Sequence, residues 1–304
     1  MRAHALFLSA AAAALLALAA CGGGDTAPKA ADTVATATLT SAGDSGATSL
    51  TVAPQGAVAA GRPITLTLTL KDAKGAPLGP DAIAVSHTEK VHVMIVDAGL
   101  EDYTHAHAAP GAAPGEWTVS FTPKFARSYR VWTDFKLASA AGEDHSGHDH
   151  GAEGHDHGEH GDEHGQTPSA LLTVGGDAAP AVAAAQSLTA QAGGLTFTMS
   201  LGGPVTADAH VPATLAVTDA SGQPFAGLEP IMGAYAHLVG FSADGASMLH
   251  AHPEGAEPKD AGARGGPVLT FDLHAKVAGP NRLFLQVQKD GAVITVPFTL
   301  MVSG

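Results

Sequence analysis

The sequence predicts an all-β protein: two tandem immunoglobulin-like antiparallel β-sandwich domains, with a disordered N-terminal tether and a His-rich loop insertion. Three observations carry this expectation. Short β-branched runs, several of them alternating, are separated by Gly, Pro, Asp and Asn. No stretch after residue 20 has a convincing 3.6-residue apolar period. And the second half repeats the first. "KDAKGAPLG" at 71–79 aligns with "TDASGQPFAG" at 218–227, and "VHVMIVDAGLEDYTHAH" at 91–107 aligns with "AHLVGFSADGASMLHAH" at 236–252.

The elements follow in order. Residues 1–20 hold Arg2 and the apolar stretch "ALFLSAAAAALLALAA". That is a secretory signal, too short for a comfortable membrane span. Residues 21–46 read as a flexible tether. Domain one spans 47–175, with strands "SLTVA", "PITLTLTLK", "VHVMIV", "EWTVSFT", "YRVWTDF" and "ALLTV". Trp117, Phe121, Tyr129 and Trp132 are expected in its core. An Ala-rich piece without an apolar stripe makes 176–186 a linker leading into an edge strand, and domain two fills 187–304. Its last two strands form a hairpin closed at Asp290-Gly291. "YRVWTDF" and "SALLTV" occupy that place in domain one, so the insertion at 138–168 interrupts the last hairpin.

The formal net charge is −14, and the run from His145 to His164 has six acidic residues and no Lys or Arg. This balance argues against nucleic acid and favours cations. The single cysteine, Cys21, excludes a disulfide framework and a thiolate metal site.

Histidine carries the chemistry. Each half has one His at the start of its third strand, His92 and His237, and His-Ala-His after the next turn, His105/His107 and His250/His252. Both halves keep 13 residues from the first to the second of these. If the first turn centres on Gly99–Leu100, His92 opposes His107 and Met94 opposes His105. Directly opposed residues share a face, so these four form one set and Val91, Val93 and Ile95 face the other way. Imidazoles without thiolate suit Zn²⁺ or Cu²⁺, and a thioether such as Met94 pulls towards Cu⁺. Val239 replaces Met94 in the second half. His145, His148, His150, His155, His157, His160 and His164, spaced by Gly, Asp and Glu, make adaptable metal sites in a run that cannot bury a core. His87, His210 and His274 lack counterparts, although His87 is near enough to His92 to join it.

Two resemblances follow from quoted residues. Leu18-Ala19-Ala20-Cys21 resembles the lipobox of bacterial lipoproteins, which implies cleavage before Cys21 and its lipidation. Gly22 after the cysteine implies the outer membrane, facing the periplasm or the exterior. "EPIMGAYAHLVGFSADGASMLHAHPEG" resembles a family of bacterial exported β-sandwich domains patterned on Gly-Ala-Tyr-x-His-Leu-Val and Leu-His-x-His-Pro, and 91–134 resembles a sister branch. The resemblance implies heavy-metal handling, copper above all. Domain one departs from it with Ala108-Ala109-Pro110 after its second HxH histidine.

The expected function is a lipid-anchored cell-envelope protein that sequesters copper or zinc as cargo, or hands it to an envelope transporter or chaperone. A structural or adhesion module is the alternative, and a copper or zinc redox enzyme stands behind it. No Ser-His-Asp cluster, catalytic carboxylate pair, phosphate loop or further His/Asp set completing a paired-metal site is evident in the linear sequence.

Overall fold

A computed structural model describes residues 37–39, 48–138 and 165–304. The expected signal, Cys21 and the seven histidines of the run lie outside the described residues. Domain one comprises β1 (Ala37–Leu39), β2 (Ser49–Pro54), β3 (Ile64–Lys71), β4 (Ile83–Ala84), β5 (His92–Asp97), β6 (Tyr103–His107), β7 (Ala109–Pro110), β8 (Glu116–Phe121), β9 (Ser128–Leu137), β10 (Gly165–Gln166) and β11 (Ser169–Thr173). Domain two comprises β12 (Thr189–Ala192), β13 (Leu195–Leu201), β14 (Ala209–Thr218), β15 (His237–Ser242), β16 (Met248–Ala251), β17 (Val268–Ala275), β18 (Gly279–Lys289) and β19 (Ala292–Val302). Among the described residues there is no α-helix, and no helix long and apolar enough to cross a membrane.

Each domain is an antiparallel sandwich. One sheet of domain one runs β1-β2-β3-β8-β7; the other runs β10-β9-β5-β6, with β4 and β11 also on β9. Domain two pairs β12-β13-β14-β17 with β16-β15-β18-β19. Period-two alternation builds the cores. In β3, Ile64, Leu66, Leu68 and Leu70 point inward and the threonines between them do not. Trp117 donates its indole N–H to the Leu78 carbonyl at 3.0 Å. Tyr129 closes a corner: its hydroxyl accepts from the Phe125 amide and donates to Asp102.

Two expectations change. Ala37–Leu39, assigned to the tether, is an edge strand: Ala37 pairs with Val52 and Leu39 with Leu50, because β2 otherwise leaves a ladder edge unpaired. Trp132 is not in the core of domain one. In β9, Tyr129, Val131 and Phe135 face that core, and Trp132 lies on the other face.

That other face is covered too. Every residue of β5 and of β15 is buried, without alternation. Strands apolar on both faces need cover on both. Here the β5-β6-β9 sheet packs against the β15-β16-β18 sheet. Met94, Val96, Leu100, Tyr103 and Trp132 of domain one meet Val239, Phe241 and Phe284 of domain two. The Tyr103 and Phe284 rings stack at 4.6 Å. A third apolar layer thus joins the two sandwiches. Fully burying one such side chain stabilises by about 1.5–3 kcal/mol.

A candidate metal centre between the sandwiches

The hairpin β5–β6 has the register its turn suggests: His92 opposes His107 and Met94 opposes His105. The hairpin β15–β16 pairs Val239 with His250 and Leu238 with Ala251. Both outer faces then meet at the interface, and the histidines of the two halves meet with them. His105 lies 4.8 Å from His237 and 5.2 Å from His250 between ring centroids. His92 lies 5.7 Å from His250, and His237 lies 4.6 Å from His252. Two separate sites were expected, one per domain; the structure brings all six rings into a single cluster. The linear sequence shows no further His/Asp set beside either triple; in the fold each triple has histidines of the other half for neighbours.

Two triads have ligand atoms within 4.8 Å of one another: His92, His105, His107, and His105, His237, His250. The second is drawn from both domains, and His105 belongs to each.

The local chain holds several rings in place. Before β5, His87 and Thr88 take positive φ and Ser86 bridges Glu89; before β15, Met232 and Gly233 do the same and Ile231 bridges Ala234. These turns aim a carbonyl at the first histidine of each strand. His92 Nε2–H donates to the Ser86 carbonyl at 3.0 Å, and His237 Nε2–H donates to the Ile231 carbonyl at 2.9 Å. A carbonyl can only accept, so the lone pair of each neutral ring is on Nδ1. His250 Nδ1 is 2.8 Å from Asp134 Oδ2, across the interface. Glu89 Oε1 lies 3.8 Å from His107 Nδ1. Anchoring one nitrogen by a carbonyl or carboxylate is how metal-ligating imidazoles are oriented. The remaining nitrogens, His92 Nδ1, His107 Nε2, His237 Nδ1, His250 Nε2 and His252 Nε2, are buried without a partner. His105 has neither nitrogen satisfied.

Burial is the largest influence on the rings. It lowers the pKa of His92, His105, His107, His237 and His252, and neighbouring imidazoles push in the same direction. His107 falls to about 4 and His237 to about 3. These rings are neutral near pH 7, as ligation requires. Burial raises Asp134, but the His250 hydrogen bond and nearby positive charge outweigh it, and its carboxyl lies below the ordinary value.

A cavity of about 160 Å³, lined among others by His87, His92, Asp134, Lys136, His250 and Gly165, opens beside the cluster. The His87 ring lies 4.0 Å from that of His252, tilted by 42°, and its Nδ1 is 2.7 Å from Glu257 Oε1. Lys136 pairs with Gly165, the first described residue after the His-rich run. The run therefore connects the two strands of the last hairpin of domain one in sequence, and Gly165, which follows it, lines this cavity.

Met94 is fully buried in the apolar layer with Val96, Trp132 and Val239, beside the histidines. His210 and His274 are elsewhere, stacked at 4.2 Å on β14 and β17, with Asp272 and Asp208 as their partners. Asp134 escaped sequence reading, although the alternation of "YRVWTDF" puts it on the face of Trp132. It stands opposite His92 on β9.

No curated protein matches the chain at a significant level. Among solved structures it is similar to a protein named pT26-6p, at 10% identity and TM-score 0.24, covering 88% of this chain and 65% of that one. It is also similar to domains 4 and 5 of the S-layer protein SbsC, at 13% identity and TM-score 0.21, covering 89% of this chain and 99% of that one. The model of a domain of unknown function, DUF8832, matches residues 44–143 and 190–304, which takes in most of both sandwiches. The chain therefore belongs to the DUF8832 family.

Proposed function

We propose that this chain is a cell-envelope lipoprotein that binds copper or zinc as cargo at the interface of its two sandwiches, gathers the ion through the His-rich run, and sequesters it or hands it on. One observation carries the reading. Six histidines from two halves converge, and each keeps a buried nitrogen with no partner. Leaving such groups unpaired costs about 1–3 kcal/mol each, and a late transition-metal ion satisfies several at once. Nitrogen donors without thiolate suit Zn²⁺ and Cu²⁺; Met94 beside them adds a soft donor for Cu⁺. Gly165, the residue after the run, lines the cavity beside the cluster, which supports delivery from the run. Anchoring by Cys21 rests on the lipobox resemblance, and the envelope location rests on it too.

The test is a titration of the full chain with Cu²⁺ and Zn²⁺, with the seven histidines of the run changed to Ser so that the folded cluster alone is read. Tight binding that is lost in His105→Ala and His250→Ala variants is expected. Binding no tighter than that of either variant would sink the reading.

A further inference from the structure

Seven buried nitrogens without a partner sit on only six rings, because His105 contributes two. A tetrahedral ion takes four ligands. One ion would leave three of the seven stranded in the interior. Two ions, one with four nitrogens and one with three, use all seven, and only if His105 serves both. The two triads overlap at that residue.

The repeat explains why His105 is free. Asp134, opposite His92, holds His250 by its Nδ1. The corresponding residue opposite His237 is Gln286, and the ring corresponding to His250 is His105. Had the pattern been kept, a side chain at 286 would anchor His105. Gln286 does not: its amide donates to Thr295 at 3.3 Å, and its Oε1 is itself buried without a partner. The two-fold likeness of the halves is broken at this contact. It leaves a ring with both nitrogens open between the two triads.

The geometry points to a dinuclear centre in which His105 is shared, one ring nitrogen to each ion. His92 and His107 complete one side; His237 and His250 complete the other, with His252 beside them. As the second ion binds, the remaining N–H proton of His105 leaves to water. The side with three nitrogens keeps an open position, through which an ion can be exchanged. This inference rests on the chain being a metal binder, and its test separates the two.

The full chain with the seven His→Ser changes in the run is titrated with Cu²⁺, and bound copper is compared with the integrated electron-spin signal. The signal is expected to rise with the first equivalent and fall with the second, because two Cu²⁺ ions joined by one imidazole couple their spins. His105→Ala should bind copper more weakly, and whatever copper it binds at higher concentration should give a signal that rises without falling, with the fold checked by circular dichroism. The wild-type His105 titration decides by itself if that variant does not fold. One bound ion, or two whose signal simply doubles, overturns the sharing of His105 and leaves metal binding intact. No bound ion overturns both.

Discussion

At the scale of single residues, the centre depends on which nitrogen of each ring is occupied. Asp134 acts through His250 by fixing its Nδ1–H. Its side chain is 27% exposed. Asp134→Asn should weaken metal binding about 10- to 100-fold, the usual effect of losing such an orienting partner, with an unchanged circular dichroism spectrum; chelator competition reads this. The pH response follows from burial. An unfolded histidine titrates near 6.5, whereas His107 resists protonation to about 4 and His237 to about 3. Below about pH 6.5 the unfolded chain binds protons that the fold refuses. The metal-free protein should thus be fully stable above about pH 6.5 and lose stability as pH falls towards 4 and then 3. Melts at pH 7.5 and 4.5 should differ by several degrees, since about 1 kcal/mol moves Tm by about 2–4 °C at this size. An unchanged Tm would contradict the buried neutral rings.

At the scale of elements, the two tight turns before β5 and β15 set the ring orientation. Gly233 adopts φ +83, and a Cβ there would stand 3.1 Å from the His87 carbonyl oxygen and from Thr88 Cγ2. The turns of the two halves thus touch each other. Gly233→Ala should cost at least about 1 kcal/mol from its positive φ, and should push away the turn carrying His87. A lower Tm together with weaker metal binding is expected. A lower Tm with unchanged binding would mean that the turn supports the fold but not the site.

At the scale of the whole molecule, the interface layer is what makes two half-sites one. Phe284 packs there and in neither sandwich core. Phe284→Ala removes the ring stacked on Tyr103, a loss of about 3–5 kcal/mol for a buried Phe. Calorimetry should then resolve two domain transitions in place of one, and metal should bring them together by binding only the joined state. A single unshifted transition would show that the sandwiches are not coupled through this layer.

The sequence by itself determined the strands, the duplication, the hairpin register and the placing of His92, Met94, His105 and His107 on one face. These are local matters: strand periodicity is two, and a turn sets which positions oppose. It also carries a sign of the interface. "VHVMIV" and "AHLVGF" are apolar on both faces, which an outer strand of a lone sandwich has no reason to be. Only the tertiary structure decided that these faces cover each other. It thereby merged the histidines of the two halves into one cluster, drew Trp132 out of the core into the interface, set Asp134 against His250 and left His105 between two groups of imidazoles. The reason is physical. Which surface buries an apolar face depends on the shape of another domain more than 100 residues away, and no pattern within a strand encodes that.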